Sequence, residues 1–201
     1  MTITVEDRPQ ALLELLWLRE AHGLDAAGEG LPPMLVDPPA SAEDPVDDAT
    51  RESWSAAWSR IWSEVVAHTA AELDQTAFDG ALAQEASPAE REILLRRLIG
   101  STWSDEFGAE AFDDDSYRDW QRRGVEAHAA NMSTALMDNP EHRDVSALAD
   151  AWRRGLTKVV TIPCRGPHAR QVGSHALLVT DEVRADSAMY RAALDSFASR
   201  P

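Results

Sequence analysis

Along most of this chain, apolar residues recur every three or four positions. Leu12, Leu13, Leu16 and Trp17 fall at helical spacing, and Leu15 and Leu18 widen the stripe. The pattern predicts a first helix beginning near Asp7. Asp7 suits a cap, Pro9 suits the first turn, and Gly23 suits the left-handed position after the last turn. A second helix is predicted from Asp47–Thr50 to about Leu73, because Trp54, Trp58, Ile61, Trp62 and Val65 share one face. A short helix is read at Phe78–Gln84. The run Ser87-Pro88-Ala89-Glu90 is a capping box, and the helix after it carries Ile93, Leu94, Leu98 and Ile99 to Gly100. Two more helices follow. One runs from about Ser116 to Leu136, with Tyr117, Trp120, Val125, His128 and Met132 along one side. The other covers about Val145–Arg154, with Leu148, Ala151 and Trp152 inward. A last helix, about Asp186–Ala198, sets Met189, Ala193, Leu194 and Phe197 against the core.

Two stretches break this rhythm. Residues 24–46 include LPPMLVDPP, which cannot be helical because each proline removes a donor and biases its predecessor towards extended structure. The apolar centre Met34, Leu35 and Val36 predicts an extended strap across the core rather than a free linker. The second stretch, Lys158 to Thr180, is β-branched and interrupted by Gly-Pro. Val159, Val160 and Ile162 read as one strand and Ala176–Thr180 as another, joined in a hairpin by a polar, basic loop. The expected fold is therefore α+β and mainly α. It is an irregular, orthogonal helical bundle closed on one side by a C-terminal β-hairpin and a final helix, in a single domain over residues 1–201.

Composition narrows the function. The 201 residues are 44% hydrophobic and 27% charged, with seven tryptophans, so a core can form without disulfides or metal. A net charge of −16 repels phosphate backbones and anionic lipid, which argues against nucleic-acid and membrane partners. Lys158 is the single lysine. High-GC codon usage explains this better than halophily, because tryptophan and leucine are not depleted. One cysteine allows no intramolecular disulfide. The first ten residues lack a basic start, and Leu12–Leu18 contains Glu14 and is too short to span a bilayer. The expectation is a soluble, cytoplasmic protein.

Candidate chemistry concentrates in the second irregular stretch. Cys164 is a candidate nucleophile with His168 or His175 as base, since neighbouring cationic groups favour a thiolate. Arg165, His168 and Arg170 are candidates for binding a carboxylate or phosphate, with pairing to acidic neighbours such as Asp113–Asp115 as the alternative. His68 and Glu72 lie one turn apart and are the weak metal candidates, but HTAAE lacks the second histidine of a zinc motif. Asp113, Asp114 and Asp115 lack EF-hand spacing and suit the start of the next helix. The tryptophan stripe reads as core rather than a ligand cage, and His128 as a hydrogen-bonded core histidine. Glu141, His142 and Asp144 read as a solvated turn. There is no glycine-rich phosphate loop, GxSxG or CxxC, and no cofactor is expected. The function expected is that of an accessory or interaction protein, meeting a protein partner or itself through the hairpin edge and exposed aromatics. The alternative is a small-molecule enzyme or anion-binding protein using Cys164, His168, Arg170 and His175.

Overall fold

Four short strands, β1 (Thr4–Asp7), β2 (Lys158–Ile162), β3 (Ala169–Val172) and β4 (Ala176–Thr180), form one mixed sheet in the order β1-β2-β4-β3. The computed structural model describes residues 2–71, 98–135 and 139–198, with Ser87, Ala89, Ile93 and Leu94 between them. The helices expected at 78–84 and from Ser87 onward, together with Glu72, lie wholly or largely outside these residues.

The sheet corrects the expected hairpin. β2 and β4 are parallel neighbours, with Val159 opposite Leu177 and Val160 opposite Leu178. The chain leaves β2, crosses the end of β4 and returns antiparallel through β3, so the hairpin is β3–β4. Residues 173–175 close it, with Gly173 at φ +60, where a side chain would be strained. β1 adds a third parallel strand, pairing Asp7 with Thr161 across most of the sequence. Every residue of β4 is buried, as expected of a strand covered on both faces.

Helices cover both faces of the sheet, so it does not close one side of a bundle. On one face lie α1 (Gln10–Ala21) and α2 (Asp48–Ala70), packed with Val160, Ile162, Val172 and Leu178. Short α3 (Ser104–Phe107) and long α4 (Asp115–Ala135) bring Trp103, Tyr117 and Trp120 to the same cluster. On the other face, Val159, Leu177 and Val179 meet α6 (Val145–Arg153), α7 (Asp181–Ala185) and α8 (Ser187–Ser196). α5 (Pro140–Arg143) leads into α6. The helix expected to join the others at 145–154 thus packs on the opposite layer. Trp152, expected inward, is 40% exposed, and Val125 on α4 is 70% exposed. Leu148 and Ala151 already fill the sheet-facing side of α6.

Local chemistry sets the helix ends. Asp47 caps α2 by accepting from the Thr50 amide at 2.7 Å. α1 ends in paired bonds, Leu24 N to Arg19 O and Gly23 N to Glu20 O, with Gly23 at φ +61. The strand before α1 moves its start past Asp7, with Pro9 in the cap position.

Residues 24–47 cross the α1–α2 layer without regular structure. Leu35, 1% exposed, bridges Cys164, while Met34 and Val36 point outward. The buried Arg19 guanidinium donates to Pro32 O at 2.7 Å and Pro33 O at 2.6 Å, and it lies over the Trp58 ring. Glu20 accepts from the Leu35 amide, and Trp120 Nε1 donates to Asp37 O at 2.8 Å.

Candidate functional site

The residues singled out between Lys158 and Thr180 are dispersed, and most are engaged in holding the fold. Cys164 is fully buried beneath Leu35, and burial pushes its thiol up to about 12. A thiol in such surroundings stays protonated at neutral pH. Among the described residues no hydrogen bond joins it to His168 or His175. His175 Nε2 instead meets Ala70 O at 2.8 Å, fastening the hairpin turn to the end of α2. His168 is half-buried with Nε2 unpartnered. Burial, with Arg170 adding to it, holds its pKa below the usual histidine range. Arg165 Nε donates to Leu35 O at 2.7 Å and Arg170 Nη1 to Gly30 O at 3.1 Å, so both arginines clamp the 24–47 segment rather than Asp113–Asp115. Lys158 pairs with Glu6 at 2.6 Å.

The remaining candidates also take structural positions. His68 Nε2 meets Leu98 O at 2.8 Å. Asp114 accepts from the amides of Ser116 and Glu43, at 2.7 and 2.8 Å. These bonds hold its carboxyl below the usual range against a burial penalty acting the other way. Trp58 and Trp62 are fully buried and stacked, and Trp58 Nε1 donates to Leu15 O. The turn at 141–144 is not simply solvated. Asp144 is buried, accepting from Arg143 Nε at 3.0 Å and from the Ser187 hydroxyl. His128 is half-buried. Among the described residues no three His, Cys, Asp or Glu side chains are grouped to hold a metal ion.

A different constellation sits at the carboxyl ends of β1, β2 and β4, the end of parallel strands where open α/β sheets bind ligands. β1 ends in Asp7, followed by Arg8. β2 presents Thr161 near its end. β4 gives way to Asp181 at the start of α7. Arg8 is the one described non-glycine residue with positive φ, at 54°. Its amide is tied to Thr161 O at 3.1 Å, and its guanidinium reaches α4 at Gly124. A Cβ added at Gly124 would stand 2.9 Å from Arg8 Nη2. Among the described residues the guanidinium of half-buried Arg8 has no hydrogen-bond or ion-pair partner.

Acidic groups cluster at the same strand ends. Thr161, fully buried, donates to Asp7 Oδ1 at 3.0 Å. Asp7 also accepts from Arg184 Nη1 at 2.9 Å. Arg184 in turn grips both Glu141 oxygens, at 2.8 and 2.9 Å, in the planar fork favoured by arginine and carboxylate. Asp181 makes no ion pair among the described residues. Burial raises its pKa, partly offset by the positive charge of Arg8 and by Thr161, both of which favour the ionised form. An arginine left without a partner by the fold can bind an oxyanion through its planar fork.

A recess of about 270 Å³ opens beside His22 between the end of α1, Ser41–Val46 and Arg51. Both His22 ring nitrogens are buried without partners, and the ring meets Trp17 and Trp54 edge-on.

Sequence reasoning passed over Arg8 and Asp181. The available signal was a charged residue directly after each of two β-rich runs, TVED and ALLVT. It becomes informative only once those runs are known to be parallel. No helix among the described residues is long and apolar enough to cross a membrane. No family model, curated protein or solved structure matches this chain.

Proposed function

We propose that this protein binds a small oxyanion, a carboxylate or phosphate group of a small molecule, at the carboxyl ends of the parallel strands. One observation carries the reading: Arg8 is half-buried, its guanidinium lacks any hydrogen-bond or ion-pair partner among the described residues, and the residue sits on a left-handed backbone. A cation that the fold leaves without a partner is free to meet an anion from solution. Strained non-glycine backbone persists where the surrounding structure imposes it, and it clusters at ligand sites. Arg165 and Arg170, two earlier candidates, spend donors on the chain's own carbonyls, and burial with Arg170 disfavours the cationic form of His168, so they support the reading less well.

Calorimetric titration with sulfate, inorganic phosphate and acetate tests it. Saturable binding is expected for at least one anion, with a loss of about tenfold or more in Arg8→Gln. Heat-silent titrations with all three, or unchanged affinity in Arg8→Gln, would reject the site.

The interaction reading keeps one specific support. Val145 and Trp152, two turns apart on α6, are 48% and 40% exposed, and tryptophan is favoured at interfaces. Sedimentation of the parent and Trp152→Ser over a wide concentration range would detect self-association through that face.

A further inference from the structure

A glycine in the interior of a long helix needs a reason, because only proline is less favourable there. Gly124 lies in the interior of α4. Every other described glycine has a positive φ, a backbone that side chains rarely adopt. Gly124 alone among the described glycines has helical backbone, so the conformation of the chain does not call for glycine at this position. What a side chain would meet is Arg8. A Cβ at Gly124 would stand 2.9 Å from Arg8 Nη2 and 3.9 Å from Arg8 Cζ, and it would meet no other described side chain within 4 Å.

These two distances orient the guanidinium. Nη2 is its atom nearest α4, and Nη1 and Nε lie beyond 4 Å from the same point. A guanidinium takes an oxyanion at two points along either of two edges, Nη1 with Nη2 or Nε with Nη2. Both edges share Nη2. An oxyanion seated on either edge therefore has one oxygen beside α4 at Gly124, where no side chain intervenes. The helix is a fixed wall at this place. One side of it is tied to α1 by the bond from Gln10 Nε2 to the Tyr117 hydroxyl at 2.7 Å, and to the 24–47 segment by Trp120 Nε1 donating to Asp37 O at 2.8 Å.

We propose that Gly124 is a positioning residue of the oxyanion site. Its missing side chain lets Arg8 rest with Nη2 against α4 and leaves room for the oxygen that Nη2 binds. This rests on the oxyanion reading given above and narrows its ligand to a group that presents two oxygens to one fork, a carboxylate or a terminal phosphoryl group. Alanine at this position would put a methyl group where Nη2 and that oxygen stand. The end of a long arginine side chain moves aside at little cost, so the fold survives the substitution and the helix gains from it. The alignment of the fork is what is lost.

Sulfate is the probe. The full chain and its Gly124→Ala variant are titrated with sulfate by calorimetry and unfolded in urea without it. Gly124→Ala should bind sulfate about tenfold or more weakly than the parent. Its urea midpoint should rise, because alanine is the better helix residue. The same substitution is then made in Arg8→Lys, which keeps the charge and has no fork. There alanine should change sulfate affinity by less than about twofold, since two-point binding is already gone. If the parent binds sulfate through Arg8 and Gly124→Ala binds it as tightly, the positioning role is wrong while the oxyanion site stands. If Gly124→Ala unfolds at lower urea than the parent, the glycine serves the packing of α4 and the assignment falls. It falls also if alanine weakens the Arg8→Lys protein as much as the parent, because the loss then bypasses the fork. If sulfate does not bind the parent, both the site and its positioning residue are overturned.

Discussion

Arg8 must turn the chain from β1 into α1 within two residues, and it does so in a conformation that costs a non-glycine residue about 1–2 kcal/mol. Glycine would make the same turn without that cost. Arg8→Gly should therefore be at least as stable as the parent, by up to about 1 kcal/mol in urea unfolding, while losing oxyanion binding. A clear loss of stability would mean that the guanidinium braces α4 at Gly124 and is not held in reserve for a ligand. Nothing in the sequence around Asp-Arg-Pro signals this conformation, since proline only biases its predecessor away from the right-handed helix. The opposite limit applies at Cys164. A lone cysteine near two histidines suggested reactivity, but the residue that buries it, Leu35, lies 129 positions away. Burial by a distant segment is not encoded locally, and it outweighs the charge of nearby arginines.

At the scale of elements, legibility followed the range of the determining contacts. α1 and α2 could be read from their apolar stripes, the Asp47 cap and Gly23, because those signals lie within one or two turns. β1 and β3 could not. Thr4–Asp7 and Ala169–Val172 are short and largely polar, and each becomes a strand only by pairing with a neighbour. The 24–47 segment is intermediate: its prolines excluded a helix, but its anchors are side chains of other elements. Arg19 is the principal one, donating to the carbonyls of Pro32 and Pro33 while beside Glu20, whose Oε1 accepts from the Leu35 amide. Arg19→Met preserves much of the packing on Trp58 but leaves two carbonyls and a buried carboxylate short of donors. The expected cost is about 3 kcal/mol. Amide exchange should accelerate first at Leu35 and Val36, whose amides depend on that alignment. If exchange at those two amides stays at parent rates, the segment is held by Arg165, Arg170 and Trp120 without Arg19.

For the whole molecule, the central question is whether the two helical layers are one cooperative unit. They meet through β2 and β4, whose successive residues alternate between them. Leu178 faces the α1–α2 layer, and Leu177, its neighbour in sequence, faces α6–α8. The tryptophans are distributed unevenly: Trp17, Trp54, Trp58, Trp62, Trp103 and Trp120 belong to the first layer, and Trp152 is half-exposed on the second. Tryptophan fluorescence therefore reports chiefly on one side. Leu177→Ala and Leu178→Ala each empty a fully buried site and should each cost about 3 kcal/mol. In a molecule that unfolds as one unit, Leu177→Ala lowers the fluorescence midpoint as far as Leu178→Ala does, although its cavity lies on the far side of the sheet from most of the fluorophores. That is the expected result, because a sheet covered on both faces cannot lose one layer without exposing fully apolar strands to water. If the layers are separable, Leu178→Ala alone will move the fluorescence transition, and Leu177→Ala will show only in circular dichroism as an earlier loss of helix. In that case the proposed oxyanion site at the ends of β1 and β2 would lose α7 before its strands. Ligand binding would then disappear at lower urea than the fluorescence signal.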